Sequence, residues 1–238
     1  MSVIALEEAR ILCNFDGSMD SVITLAHELG HAYHDHCFEG KTPLQRYVPM
    51  TIAETASIFN QTIITNAALD QAGKNEQLAI LENFLSDTGQ VVVDIYSRFL
   101  FESEVFEKRA EAQLSADDFC GIMLNCQKQT YGDGLDQNFL HPYMWAWKSH
   151  YYSPGRSFYN YPYAFGLLFG LGLFSVYQNS GSGFTESYDL LLADSGMVPP
   201  AELAARFDID LRQKDFWEAG LDLIRERIRL YCTYLTQD

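Results

Sequence analysis

Residues 24–36 read TLAHELGHAYHDH, and His27, Glu28, Leu29, Gly30 and His31 inside them form the pattern HExxH. The pattern makes chemical sense as a helix, where positions four apart share a face and stand about one turn from each other. His27 and His31 then aim two imidazoles at one point, and two imidazoles at that spacing can grip one zinc ion. Glu28, beside them, can reach a water on that metal, as zinc-assisted hydrolysis of a peptide bond requires. A helix is therefore expected from a cap at Ser18 or Asp20 to about Phe38, with one Zn2+ per chain.

A catalytic zinc site needs three protein ligands and one open position. The extended pattern HExxHxxGxxH would place Gly at 34 and His at 37; this chain has His34 and Cys37, so that pattern fails. Asp35, His36 and Glu39 follow too closely to fold back from the same helix or its end. His34 lies one turn beyond His31, but a fourth protein ligand would close the position that water needs, so His34 and His36 are expected to support the site or lie on the surface. The better third ligand is Glu54, the only charged residue between Tyr47 and Leu69. Such a carboxylate is either part of an exposed polar stripe with Thr51, Thr55, Gln61, Thr62 and Asn66, or paired with something. A helix carrying Glu next to HExxH is the gluzincin arrangement, in which His, His and Glu hold the metal.

The remaining sequence narrows the setting. At 238 residues and 47% hydrophobic content the chain can build one large core. Its net charge of −16, with no basic stripe, argues against nucleic acid and anionic membranes as partners and mildly favours basic or neutral peptides. Five cysteines, an odd number with no C-x-x-C, read as reduced thiols and a cytoplasmic location. The N-terminus shows no signal-peptide pattern. Residues 157–185 carry no charge, but Asn160 and Pro162 interrupt the apolar part, so a buried helix is expected there rather than a membrane span.

Along the chain, alternation over residues 3–15 followed by Asp16-Gly17 predicts a short strand or hairpin. Helices are expected at 51–71, almost throughout 75–114 with Gly89 as a bend, and from a cap at Ser115 to about Tyr131. Further helices are expected at 163–178, 185–194, 200–206 and 215–235. Residues 102–111 look like a solvated helix face, with acids interleaved with Lys108 and Arg109. The sum is a mainly α single domain over 1–238 with a small β element at its start.

HELGHAYH, then AETAS, then HYY and FYNYPYAFG, in that order and at these spacings, resemble the catalytic region of the oligoendopeptidase F branch of the thimet oligopeptidase family of zinc metallopeptidases. The resemblance covers essentially the whole chain. It implies a zincin-like (gluzincin) helical fold, His27, His31 and Glu54 as zinc ligands, and Glu28 as general base. It also implies an oxyanion and substrate-binding group in the aromatic segment. There His150 matches the family's His, Tyr159 and Tyr163 match the FYxxPY tyrosines, and Tyr152 and Tyr161 are alternatives. The competing reading of these aromatics is ordinary core packing.

The resemblance implies short peptides as substrates, and as a partner the longer enzymes' N-terminal helical region, which forms the other wall of a channel. Without that wall, the alternative is an inactive zinc-binding domain that acts as a peptide-binding or interaction module. One departure stands out: Gln61 replaces a Glu that family members often carry. By analogy with zincins, a substrate strand would lie along an edge strand near residues 9–15. Arg156, in SPGRS, could hold a substrate carboxylate from a mobile loop, and His141 reads as a loop histidine.

Overall fold

The computed structural model describes residues 2–3, 6, 8–180 and 183–236. Strands β1 (Ser2–Val3) and β2 (Glu8–Ala9) form a two-residue antiparallel ladder. Helices α1 (Met19–Cys37), α2 (Met50–Ala53), α3 (Thr55–Gln71) and α4 (Lys74–Gly89) follow. After a π-helical turn at Gln90–Asp94 come α5 (Ile95–Glu111) and α6 (Ala116–Tyr131), then short 3-10 turns up to Arg156. The chain closes with α7 (Tyr161–Asn179), α8 (Phe184–Asp194), α9 (Pro200–Ala205) and α10 (Lys214–Leu235). The mainly α expectation with a minimal β element holds.

Two compact units emerge, one from Met1–Ser86 with Phe165–Asp238, the other from Asp87–Ala164. The first is built on a core of Ile52, Ala56, Phe59, Phe169, Leu173, Leu192 and Leu203. The uncharged run contributes α7 from Phe165 onward to this unit, where its Leu167, Phe169, Leu171, Leu173 and Phe174 are buried. A helix apolar on all sides is one the fold encloses. Among the described residues no helix is long and apolar enough to cross a membrane. The second unit packs α5 on α6 around Phe101, Ile122, Met123 and Cys126, with Trp145 and Tyr151 laid against them.

Local signals explain the helix ends. Ser18 caps α1 by accepting from the Ser21 N–H at 3.2 Å. Ser115 and Asp118 make a reciprocal capping box at the start of α6. Three expectations need correction. Helix 51–71 is broken at Glu54, which sits at φ −90°, ψ 3° between α2 and α3. Gly89 is helical, and the irregular turn follows it. No strand occupies 10–15: β2 ends at Ala9, and Leu12 is 99% exposed. Alternation makes a strand only with a partner, and the ladder of β1 and β2 stops at Ala9, so the expected substrate edge is absent there.

Candidate metal centre

The first unit brings His27, His31 and Glu54 together as the sequence anticipates. The two imidazoles project from one face of α1 with ring centroids 5.0 Å apart and planes nearly perpendicular. Glu54 Oε2 lies 3.3 Å from Nε2 of His27 and 3.3 Å from Nε2 of His31. Ligands about 2.0–2.1 Å from a tetrahedral zinc ion lie about 3.3–3.4 Å from one another, so the donor set fits that ion. Among the described residues this is the one group of three His, Cys, Asp or Glu whose ligand atoms converge, all within 4.8 Å.

Two glycines make the convergence possible. A Cβ on Gly30 would stand 2.4 Å from the Ala56 carbonyl oxygen and 2.5 Å from Ser57 Cα. The backbones of α1 and α3 therefore touch at the Gly of HELGH, and that contact brings Glu54 within reach of the imidazoles. On the other side, a Cβ on Gly166 of α7 would meet Glu54 Cβ at 3.0 Å. Glu54 is thus backed by helix backbone, with its carboxylate turned to the histidines.

Glu54, at the cap of α3, and Ser57 and Gln61, at the next positions along that side of the helix, all serve the centre. Ser57 Oγ donates to Glu54 Oε2 at 2.7 Å and to the Glu54 carbonyl at 2.9 Å. Gln61 Oε1 lies 3.2 Å from His27 Nδ1, where it can accept that ring's N–H and fix the tautomer that leaves Nε2 for metal. Burial pushes the Glu54 carboxyl upward, but bonds from His27, His31 and Ser57 outweigh it and hold the group well below the usual range. Burial likewise opposes charge on His27; Glu54 and Gln61 outweigh it, and the net shift is upward. Two of these contributors, Ser57 and Gly166, close the AETAS and FYNYPYAFG motifs, but the sequence alone assigns neither a role. The spacing of Ser57 from Glu54 on one helix face was the available signal.

Glu28 is half-buried on α1, next to His27. His34 does not join the metal group. It is buried, with Nε2 2.8 Å from Ser195 Oγ and 3.3 Å from the Leu192 carbonyl, and burial lowers its pKa to about 4. It is a tie between α1 and the end of α8. His36 is exposed and faces Glu39.

The second unit holds the aromatic segment. His150 is 7% exposed, with its ring 4.3 Å from Tyr151 and 6.0 Å from Tyr159 between centroids. Tyr163 continues the group 6.1 Å beyond Tyr159. Buried His150 Nε2 has no hydrogen-bond partner among the described residues. Burial, with the positive charges of Arg98 and Lys148, lowers the pKa of His150 and so favours the neutral imidazole, a form with one N–H to give. Tyr152 is exposed, and its hydroxyl is spent on the Ala146 carbonyl at 3.0 Å. Tyr161 is exposed too. Arg156 stands in an exposed turn with its guanidinium over the Tyr159 ring, 5.5 Å from the centroid. His141 is exposed as expected, and its backbone N–H and carbonyl are both held by the Gln127 side chain at 2.9 Å.

The expected solvated face at 102–111 needs a further correction. Glu102 is 7% exposed and accepts the Phe158 backbone N–H at 2.9 Å. Lys108 pairs outward with Glu104 as a surface pattern should.

A sequence profile of peptidase family M3 matches residues 2–223. The chromosomal oligoendopeptidase F of Lactococcus lactis subsp. cremoris is 28% identical over 231 residues, which span 93% of this chain and 37% of that protein. The chain therefore covers little more than a third of that relative. Two crystal structures share the fold. One, of a protein assigned as a peptidase from Chlamydophila abortus, superposes with a TM-score of 0.81 at 22% identity, covering 93% of this chain and 37% of that one. The other, oligoendopeptidase-F from Enterococcus faecium, gives 0.78 at 19%, covering 92% and 40%.

Proposed function

The chain belongs to peptidase family M3, and from that premise we propose that it is a zinc-dependent endopeptidase acting on short peptides. The observation that carries the proposal is the single Glu54 oxygen set 3.3 Å from both histidine nitrogens, a spacing that matches the edge of a zinc tetrahedron. His27, His31 and Glu54 would hold the ion, one per chain. Zinc bound there supplies Lewis acidity, which acidifies water and polarises a carbonyl.

The chain's own residues do the rest. Glu28 takes a proton from the water that attacks the scissile carbonyl and passes it to the leaving amine, so that the C–N bond breaks with no net proton change. Gln61 and Ser57 keep His27 and Glu54 in ligating orientation. His150, Tyr159 and Tyr163 are assigned the donor role toward the developing oxyanion. A neutral imidazole N–H and phenolic O–H groups are the donors such an intermediate needs. The five thiols, none in a disulfide, support a cytoplasmic setting.

The test is Glu28→Gln. Glutamine keeps the volume but cannot take the proton. With a quenched fluorescent peptide, kcat should fall by about 10²–10⁴-fold, while elemental analysis still finds one zinc per chain. Full turnover in that variant overturns the mechanism. A wild-type chain that holds zinc and cleaves nothing would instead be the peptide-binding module.

A further inference from the structure

We propose that Glu102 is a positioning residue for the aromatic segment: it fastens the backbone corner at Phe158 and so sets where Tyr159 points. The inference rests on the reading of Tyr159 as a substrate-binding group.

Phe99, Glu102 and Phe106 fall at i, i+3 and i+7 and make one face of α5. All three seize the same residue. The Phe158 ring lies 5.4 Å from Phe99 and 5.6 Å from Phe106, nearly parallel to the latter. Its backbone N–H donates to Glu102 Oε1 at 2.9 Å. Phe158 itself has φ 57°, a left-handed conformation that a bulky residue adopts only when its surroundings demand it. A glycine would make the turn at less steric cost, but it would have no ring for the two phenylalanines to hold.

The corner therefore depends on a ring clamp and a backbone bond together. The bond explains a carboxylate buried where Glu107 and Glu111 of the same acidic run are exposed. An N–H turned inward at such a corner needs an acceptor. The next residue is Tyr159, whose ring is 6.0 Å from His150 and 6.1 Å from Tyr163. Rotation of the corner would carry Tyr159 out of that group.

The experiment compares Glu102→Leu with Glu102→Gln in the whole zinc-loaded chain. Two readouts are followed: kcat and KM on a fluorogenic peptide, and the rate of tryptic cleavage after Arg156, two residues before the corner. Glutamine keeps an acceptor oxygen and should stay within about threefold of wild type on both. Leucine should lower kcat/KM by about tenfold to hundredfold and speed cleavage after Arg156 by roughly fivefold or more, with bound zinc unchanged. A leucine variant like wild type in either readout overturns the proposal. So does a glutamine variant as damaged as leucine. If the leucine variant does not fold, Phe106→Leu takes its place and should speed the Arg156 cut while Glu102→Gln does not; equal rates overturn the proposal. Should the wild-type chain bind zinc yet cleave no peptide, the peptidase reading fails, while the tryptic arm still decides the corner.

Discussion

His27 and His31 come from α1 and Glu54 from the junction just before α3, pressed together at Gly30, whereas Tyr159 rides on a short turn fastened to α5 by the Glu102 carboxylate and the Phe99 and Phe106 rings. The first arrangement is set by backbone against backbone and has little freedom to adjust. The second hangs on side chains and one backbone bond, so its geometry can be tuned or lost without touching the helices. Metal ligands need fixed spacing, and helix packing gives it. Groups that meet a substrate can sit on turns, provided that something holds the turns in register.

The largest expected difference is chemical. His150→Phe keeps the ring packing against Tyr151 but removes the N–H. If His150 serves the oxyanion, kcat should fall by about 10²–10³-fold with zinc content unchanged, the reverse of what loss of a metal ligand does. Wild-type kcat would remove the second unit from the chemistry and leave the metal centre alone.

Acid should strain the first unit through His34. Its folded pKa, about 4, lies below the unfolded value near 6.5. Below pH 6.5 the unfolded chain therefore binds a proton that the folded chain refuses. Stability is full above that pH and drains away as pH falls toward 4, by on the order of 3 kcal/mol at the lower end. Unfolding of the metal-free chain, followed by circular dichroism across pH 4–7, should show this slope, and His34→Gln should flatten it.

A smaller and more pointed contrast compares two glycines. Gly30→Ala puts a methyl into the Ala56 carbonyl, so the helices must part, at about 1–3 kcal/mol of stability and with weakened zinc binding. Gly155→Ala, in the aromatic segment, meets nothing within 4 Å and should change stability by no more than about 0.5 kcal/mol. Thermal unfolding and zinc titration of the pair check both halves. Equal behaviour would mean that the Gly30 contact does not set the centre.

Much of this site could be read from the sequence, for a physical reason. HELGH places its chemistry on one helix, where spacing alone fixes geometry. Glu54 stood out because a lone charge in an apolar run needs a partner. What could not be read depends on contacts distant in sequence. The break at Glu54, the touch at Gly30 and the backing by Gly166 exist only once α1, α3 and α7 are packed. Glu102 was hidden by its neighbours, since Glu104 and Lys108 do form the surface pair that the charge pattern suggests. The strand expected near residues 9–15 failed for the same reason: alternation marks a surface, but a partner makes a strand.

The central claim is that Glu54 completes a zinc site with His27 and His31. It is tested most directly by measuring zinc per chain, after dialysis against a weak chelator, in the wild type and in Glu54→Ala. The account predicts one zinc in the wild type and almost none in the variant. Full zinc retention by Glu54→Ala would contradict it.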